Sequence, residues 1–259
     1  MITDTNTAPI KAVHDNPDRG AATAVITGAA GVMGMATVQV LCSRGWHVLC
    51  IDHNSERLAI LQKKFGSKCS VLCCDVQSKA FLEEVQIKLE DVPGVGALVN
   101  MVGVSKGGDL FKMQNHEWDL SFAINVTPAM RLTQLVAPMM QVRRGGSIVN
   151  VGSPVGVLGA RKPQYAASKA ALHGLTMSAA RALGSYGVRV NLLLPGPTIT
   201  GMTHDWSKQQ REEVANGTFL KRLCRPEEVA QVVAFLIGDE SQYITASVID
   251  MTAGSMLGH

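Results

Sequence analysis

Long apolar runs are missing from this sequence, and none approaches the roughly 18 to 20 consecutive residues that a bilayer-spanning helix needs. The first twenty residues are polar, carry mixed charges, and lack both the apolar segment and the cleavage pattern of a signal peptide. We therefore expect a disordered tail over residues 1–20, no membrane partner and a cytoplasmic location.

The cysteine spacing of a redox or zinc motif is also missing. The six cysteines include no Cys-x-x-Cys pair, and several of them lie within apolar segments. This pattern is typical of buried free thiols in a reducing compartment, and it supports neither a disulfide framework nor a metal site.

A strong excess of one charge is absent as well. The chain has 24 basic and 21 acidic residues, for a net charge of +3, without a continuous basic stripe. Nothing here favours nucleic acid as a partner. Hydrophobic residues make up 46% and charged residues 17% of the 259 positions, and no Pro/Ser-rich linker or repeat divides the chain. We expect a single domain over residues 21–259.

The sequence does contain a tyrosine and a lysine four positions apart, Tyr165 and Lys169. The segment 165–183 has helical periodicity and no proline, so the two side chains share one helix face. A phenol with an ordinary pKa near ~10 is a poor base at neutral pH, and a fixed ammonium nearby favours its ionised form. The pair is a candidate acid–base site. The alternative is a surface pair without a chemical role.

A glycine-rich turn follows the first apolar run, 23–27, and precedes helical periodicity over 32–44. Its spacing is Thr-Gly-x-x-Gly-x-x-Gly, from Thr27 to Gly34. A strand, a glycine turn and a helix open a dinucleotide-binding unit, because glycines let a pyrophosphate approach the N–H groups at the positive end of the helix. The alternative is a purely structural turn.

An acid, Asp52, ends the next apolar run, 47–52. A carboxylate at the end of the second strand binds the ribose hydroxyls of adenosine and repels a 2′-phosphate. No lysine or arginine lies between Gly28 and Gly34, and none directly follows Asp52. These features favour NAD. The alternatives are NADP binding and a carboxylate that only caps the helix beginning near Ser55.

With Ser153 at the end of a later apolar strand, these motifs resemble the short-chain dehydrogenase/reductase family, and in particular its short single-domain branch, which includes the β-ketoacyl carrier-protein reductases. The resemblance extends from about Thr23 to Gly254. It implies an α/β fold: a single doubly wound Rossmann-type domain with a mainly parallel seven-stranded sheet flanked by helices.

The resemblance also implies hydride transfer between NAD(H) and a secondary alcohol or ketone of a small-molecule substrate. In the family, the residue matching Tyr165 exchanges the hydroxyl proton, that matching Lys169 lowers its pKa and binds the nicotinamide ribose, and that matching Ser153 orients the substrate oxygen. Asn125 matches the residue that completes a proton relay. It falls within a predicted helix 116–142, which Pro128 should kink.

Positions implied to contact the cofactor lie at the predicted strand ends and helix starts. They are Gly28, Gly31, Val32, Met33, Gly34, Asp52, Asp75, Val76, Asn100, Gly103, Tyr165, Lys169, Pro195, Gly196, Thr198 and Thr200. Substrate contacts are expected from Ser105, Val155, Met202 and Trp206, with the irregular segment 201–222 as a lid. The family habit predicts a homo-oligomer, a tetramer or a dimer.

Five positions depart from the family pattern: Val32, Met101, Val102, Thr252 and Ala253. They motivate a further hypothesis, a non-catalytic sensor that binds a dinucleotide without turnover. An NADPH-dependent ketoreductase of the β-ketoacyl reductase type is the other alternative. The catalytic positions are all intact, which favours an enzyme.

Overall fold

The computed structural model of the chain describes residues 22–200, Thr203 and residues 206–257. The expectations for the tail, residues 1–20, and for Met202 lie outside these described residues. Within them, no helix is both long enough and apolar enough to cross a bilayer.

A seven-stranded sheet forms the centre of the molecule, with the strand order β3-β2-β1-β4-β5-β6-β7. All six neighbouring pairs are parallel, which confirms the predicted sheet. The strands are β1 Thr23–Thr27, β2 His47–Asp52, β3 Cys69–Cys73, β4 Val95–Asn100, β5 Gly146–Val151, β6 Val188–Pro195 and β7 Val248–Met251. The order reverses at β1, so the ligand crevice is expected at the carboxyl ends of β1 and β4.

Helices connect the strands on both faces of the sheet. They are α1 Val32–Ser43, α2 Ser55–Phe65, α3 Phe81–Glu90, α4 Asn115–Asn125, α5 Thr127–Val142, α6 Val155–Leu158, α7 Pro163–Leu183, α8 Lys208–Asn216 and α9 Pro226–Ile237. One buried core packs α1 and α9 against the sheet, and the other packs α3, α5 and α7 against its opposite face. The central strands are apolar on both sides because each face is covered by helices.

The predicted helix 116–142 is wrong in one respect: the chain forms two helices, α4 and α5, that are separated at Val126. Val126 has φ −121° and ψ −55°, outside the helical range, and Pro128 lies in the first turn of α5. A proline there needs no amide partner, so it starts the second helix and does not kink a continuous one.

The segment 201–222, predicted as irregular, contains the nine-residue helix α8. Ser207 caps this helix, since its side chain accepts a hydrogen bond from the Gln210 amide at 3.2 Å. The Gln210 side chain in turn accepts from the Ser207 amide at 2.9 Å. A reciprocal cap of this kind stabilises a helix that has no buried face of its own.

Candidate active site

Ser153 and Tyr165 meet at the carboxyl end of β5. Ser153 follows the last residue of β5 by two positions, and Tyr165 lies in the first turn of α7. The Ser153 side chain lies close enough to the phenol to lower the pKa of Tyr165. The two residues that were predicted to act on the same substrate oxygen are therefore adjacent.

Lys169 lies one turn further along α7 and is 5% exposed. Its Nζ donates a hydrogen bond of 2.9 Å to the carbonyl of Val151, the last residue of β5, and lies 6.0 Å from the centre of the Tyr165 ring. Burial lowers the pKa of Lys169 to about 8. The ammonium thus points into the crevice with a single carbonyl as its hydrogen-bond acceptor among the described residues.

The pKa of Tyr165 is raised, whereas the resemblance implied that Lys169 lowers it. Burial raises the pKa of Tyr165, and the neighbouring Ser153 side chain offsets part of that rise. The Lys169 ammonium does not reverse it: its Nζ lies 6.0 Å from the ring centre and donates to the Val151 carbonyl. In this arrangement the phenol is neutral at pH 7 and is suited to give up a proton to a substrate oxygen.

Asn125 ends α4 and is 2% exposed. Its Oδ1 accepts from the Val104 amide at 2.8 Å, and its Nδ2 donates to the Val104 carbonyl at 3.0 Å. Nδ2 also donates to the Ser168 hydroxyl at 2.8 Å, beside Lys169 on α7. Asn125 therefore joins α4, the loop after β4 and α7 at one point.

Gly103 fits into this cluster because it lacks a side chain. A Cβ at this position would lie 3.1 Å from Lys169 Nζ and 3.5 Å from Asn125 Oδ1. The first distance is shorter than an ordinary van der Waals contact. The glycine thus allows the backbone after β4 to approach the lysine.

The turn between β1 and α1 is equally tight. A Cβ on Gly34 would lie within overlap distance of the Gly28 carbonyl oxygen, so only glycine lets the first turn of α1 pack on this loop. Val32, which departs from the family pattern, is the first residue of α1 and is 38% exposed. Met33 follows it in the same turn.

Asp52 is held against this turn at the end of β2. Its Oδ2 accepts from the Ala30 amide and its Oδ1 from the Asn54 amide, both at 3.0 Å. Asn54, and not Asp52, caps α2, because the Asn54 side chain accepts from the Arg57 amide at 2.9 Å. The carboxylate is therefore free of the capping role that was its alternative interpretation.

Asp75 and Val76 follow β3 at the same edge of the sheet. Asp75 Oδ1 accepts from the Gln77 amide at 2.9 Å, which closes a local turn, and α3 begins only at Phe81. At the end of β4, the Asn100 side chain donates to Asn150 Oδ1 at 2.8 Å and so joins two central strands.

The segment after β6 carries the remaining positions expected at the cofactor. Pro195 is the last residue of β6, and the Gly196 amide donates to the Met251 carbonyl at 3.1 Å. Thr198 is 6% exposed and forms an isolated parallel β-bridge with Cys224. The Thr200 amide donates to Thr203 Oγ1 at 2.9 Å. A small cavity of about 140 Å³ lies beside Gly196.

Of the expected substrate contacts, Ser105 and Val155 lie on opposite sides of the start of α7. The Ser105 carbonyl accepts from Lys162 Nζ at 2.9 Å, and Val155 begins α6, which packs on α7. Trp206 is half-buried at the start of the segment that leads to α8.

Sequence reasoning missed Gln164, which precedes Tyr165 and is fully buried. Its Nε2 donates to the carbonyls of Lys106 at 2.9 Å and Gly108 at 3.3 Å. The sequence shows a polar residue on the buried face of a helix, but its partners are more than 50 positions away. Ser168 was missed for the same reason.

Comparisons with known proteins identify the family. A family model described as enoyl-(acyl carrier protein) reductase matches residues 28–255. A 3-oxoacyl-(acyl-carrier-protein) reductase from Thermotoga maritima is 36% identical over 238 residues, which cover 90% of this chain and 97% of that protein. The chain belongs to the short-chain dehydrogenase/reductase family.

Other members of the short-chain dehydrogenase/reductase family support this assignment. A 2,3-dihydro-2,3-dihydroxybenzoate dehydrogenase from Bacillus subtilis is 32% identical over 250 residues, covering 91% of this chain and 96% of that protein. The crystal structure of a 3-oxoacyl-(acyl-carrier protein) reductase from Brucella melitensis superposes with a TM-score of 0.83 at 28% identity, and covers 90% of each chain. The protein is thus an oxidoreductase that acts on CH–OH groups of small molecules with a nicotinamide cofactor.

The residues present fit such a cofactor. The glycine turn lies at the amino end of α1, where the N–H groups at the positive end of the helix suit a pyrophosphate, and Gly34 lets the helix pack tightly on this turn. Gly103 keeps the space beside Lys169 free of side-chain atoms. No group of histidine, cysteine and acidic side chains among the described residues could hold a metal ion.

Two departures from the short-chain dehydrogenase/reductase pattern lie after β7. Ala253 adopts φ +54°, a left-handed conformation that favours glycine, and its carbonyl accepts from the Phe219 amide at 2.8 Å. Thr252 is 2% exposed, and its hydroxyl has no hydrogen-bond partner among the described residues. Ala253 therefore holds, at some cost in strain, a backbone conformation that glycine would adopt freely.

Proposed function

We propose that the protein is an NAD(H)-dependent oxidoreductase that transfers a hydride between the nicotinamide and a secondary alcohol or ketone of a small-molecule substrate. The observation that carries this proposal is the convergence of Ser153, at the carboxyl end of β5, with Tyr165 and the buried Lys169, which lie one turn apart on α7. A protein that only senses a dinucleotide has no chemical need for these three side chains together.

Each of the three side chains has a separate task in the proposed reaction. Tyr165 passes a proton to the substrate oxygen during reduction and takes it back during oxidation. Ser153 donates a hydrogen bond to the same oxygen and orients it toward the phenol. When bound, the nicotinamide supplies or accepts the hydride. Lys169 binds the nicotinamide ribose, and Asn125 holds the backbone around the lysine and completes a path for protons.

The preference for NAD is proposed from Asp52. Its side chain is only 9% exposed, and two backbone amides fix the carboxylate at the edge of the glycine turn. A fixed negative charge there accepts hydrogen bonds from ribose hydroxyls and repels a 2′-phosphate.

Titrations of the purified protein with NADH and NADPH, followed by nicotinamide fluorescence, test this preference. We expect NADH to bind about tenfold more tightly or better, and Asp52→Asn to remove most of that difference. Asp91→Asn removes one exposed carboxylate at a distance from the turn and serves as the charge-matched control. Tighter binding of NADPH by the unsubstituted protein contradicts the proposal.

Two observations favour a second candidate, an NADPH-dependent ketoreductase. Burial keeps Tyr165 protonated, as reduction of a ketone requires. Arg57 donates to the Ala30 carbonyl at 3.2 Å, which places a guanidinium beside the turn that Asp52 faces. Arg57→Gln separates the two functions: it leaves NADH affinity unchanged under the first and weakens NADPH binding about tenfold under the second.

The non-catalytic sensor is tested with Tyr165→Phe. This substitution removes one hydroxyl and keeps the ring, so the cofactor site stays intact. Loss of turnover with unchanged cofactor affinity supports the enzyme, whereas an unchanged phenotype with intact NAD binding supports the sensor.

We also propose that the protein forms a homo-oligomer, a tetramer or a dimer, through α4 and α5. Large apolar side chains of these helices are exposed in the single chain, among them Trp118 at 39% and Val142 at 86%. Light scattering coupled to size-exclusion chromatography measures the mass, and a monomer at micromolar concentration contradicts this proposal.

A further inference from the structure

A second and larger cavity, of about 440 Å³, lies at the opposite end of the sheet from the active site. Its lining comes from residues next to the amino ends of β1, β2, β4, β5 and β6. We call it the arginine pocket, after Arg44, Arg143, Arg144 and Arg189. Because strands rise about 3.3 Å per residue, it is separated from the catalytic crevice by roughly 17 to 25 Å.

The charge of the arginine pocket is strongly one-sided. Its lining includes four arginines and a single acid, Asp239, which already interacts with another residue. Arg44 donates to Gln231 Oε1 at 2.7 Å, and Arg189 donates to the carbonyl of Gly238 at 3.1 Å. Arg44 and Arg189 are therefore held in place as part of the pocket lining, and their charges make the pocket electrostatically positive.

Arg143 and Arg144 differ from Arg44 and Arg189 in their side-chain partners. Their guanidinium groups form no hydrogen bond or ion pair with any other residue in the described part of the chain. Both line the cavity from the turn between α5 and β5. Because both line the same concave site and neither has an anionic partner among the described residues, both charges are available to an anion bound there.

The backbone holds Arg144 in an unusual conformation. Arg144 adopts φ +51°, which side chains larger than hydrogen rarely adopt. Its amide donates to the Gln141 carbonyl at 3.0 Å, and a Cβ on Gly187 would lie 2.7 Å from its carbonyl oxygen. A glycine would suit this turn without strain, yet the position carries a guanidinium that faces the cavity.

Arg143 and Trp46 also lie against glycines that leave space for them. A Cβ on Gly94 would lie 2.7 Å from a guanidinium nitrogen of Arg143, and one on Gly96 would lie 3.3 Å from the Trp46 ring. Trp46 is half-buried and lines the cavity. One side of the arginine pocket is therefore cationic, and another offers a flat apolar surface.

We propose that the arginine pocket binds an organic phosphate of about nucleotide size, with the phosphate on Arg143 and Arg144 and the apolar part against Trp46. The guanidinium fork matches phosphate oxygens in bidentate geometry, and two unpaired cations match a dianion. The cavity volume lies within the roughly 300 to 1,000 Å³ of small-molecule sites. Its concave shape favours a small ligand over the surface of an acidic protein.

Calorimetric titration with AMP and with pyrophosphate tests the proposal. The protein is first saturated with whichever reduced nicotinamide cofactor it binds more tightly, so that the catalytic crevice does not take up the probe. We expect one further saturable site per chain, with a Kd below about 1 mM. The double variant Arg143→Gln, Arg144→Gly should weaken the binding of both probes by about tenfold or more.

The variants are chosen to keep the fold. Glycine adopts the φ of residue 144 readily, so Arg144→Gly should leave the thermal midpoint unchanged or raise it. Lys63→Gln removes one exposed positive charge on α2, outside the pocket, and should leave both affinities unchanged.

Absence of saturable binding up to about 10 mM probe overturns the proposal, as does equal affinity in the double variant and the unsubstituted protein. Equal loss in Lys63→Gln also overturns it, because the effect would then come from net charge alone. Cofactor affinity is measured on the same samples. A change confined to probe binding separates this site from the proposed oxidoreductase function.

Discussion

Gly103→Ala tests how closely the backbone after β4 fits against Lys169. The new Cβ would lie 3.1 Å from Lys169 Nζ, so the ammonium or the loop has to move by a few tenths of an ångström. Residue 103 cannot move freely, because the backbone of the next residue, Val104, is held by two hydrogen bonds to Asn125. We therefore expect the lysine to shift.

The size of the effect follows from the contact that Lys169 loses. Its hydrogen bond to the Val151 carbonyl is 2.9 Å long and lies in a buried site. A hydrogen bond from a charged group contributes about 1.5 to 3 kcal/mol to the free energy of unfolding. Weakening this bond without breaking it should therefore lower the free energy of unfolding by about 1 kcal/mol. A misplacement of about 1 Å in a catalytic group costs on the order of 100-fold in rate, so a shift of a few tenths should cost about tenfold.

Three measurements check this prediction: thermal unfolding, cofactor affinity by nicotinamide fluorescence, and turnover of the substrate found by screening secondary alcohols. Gly174→Ala is the matched control. Gly174 lies within α7, where an added Cβ meets no atom within 4 Å. This control should stabilise the protein by about 0.5 to 1 kcal/mol, since alanine is the better helix former, and leave turnover unchanged.

The reasoning is refuted if Gly103→Ala keeps both its turnover and its cofactor affinity while Gly174→Ala behaves as expected. That outcome would show that the loop yields to the new methyl group and that Lys169 is not fixed by its close contact with residue 103.

Four other predictions follow from the geometry. Tyr165→Phe should lower turnover by about 1,000-fold or more with cofactor affinity within about twofold, as measured by initial rates and fluorescence. For Lys169, the folded-state pKa of about 8 lies below the ordinary 10.5, so the unfolded state binds more protons between those values and stability rises with pH there. In denaturant titrations, the free energy of unfolding of the unsubstituted protein should rise by on the order of 3 kcal/mol relative to that of Lys169→Met between pH 8 and 10.5. A difference between the two proteins that does not change with pH would contradict the burial of this cation. Ala253→Gly should raise the free energy of unfolding by about 0.5 to 1 kcal/mol, because glycine adopts φ +54° without strain; a loss would contradict this. Asn125→Asp should lower turnover about tenfold, since a carboxylate cannot donate to the Val104 carbonyl and the Ser168 hydroxyl, and unchanged rates would contradict its positioning role.

The fold could be predicted where sequence pattern and tertiary structure agree. The strands β1 and β2 are short apolar runs next to glycine or an acid, and their bounds match the predictions. The break at Val126 could not be predicted, because helical periodicity continues on both sides of it. Pro128 indicated a disturbance, but the pattern does not distinguish a kink from the first turn of a new helix.

The candidate site shows the same limit. The spacing of Tyr165 and Lys169 was enough to place both on one helix face. The direction of the Tyr165 pKa shift was not predictable, because it depends on burial by segments that are distant in sequence. The roles of Gln164 and Ser168 were missed because polar residues in a helix are usually exposed, and only the fold shows that they face inward.

The hydrogen bonds from α7 to the loop after β4 have a consequence for how the substrate range of this enzyme can change. Gln164 and Lys162 hold the loop at Lys106, Gly108 and Ser105. Because these side chains flank Tyr165, a substitution that reshapes the loop also disturbs the helix that carries the acid–base group. The segment that includes α8 has no such attachment to Tyr165 among the hydrogen bonds of the described residues. We therefore expect the loop after β4 to be constrained by its attachment to α7, and the α8 segment, which is predicted to contact the substrate, to tolerate more change.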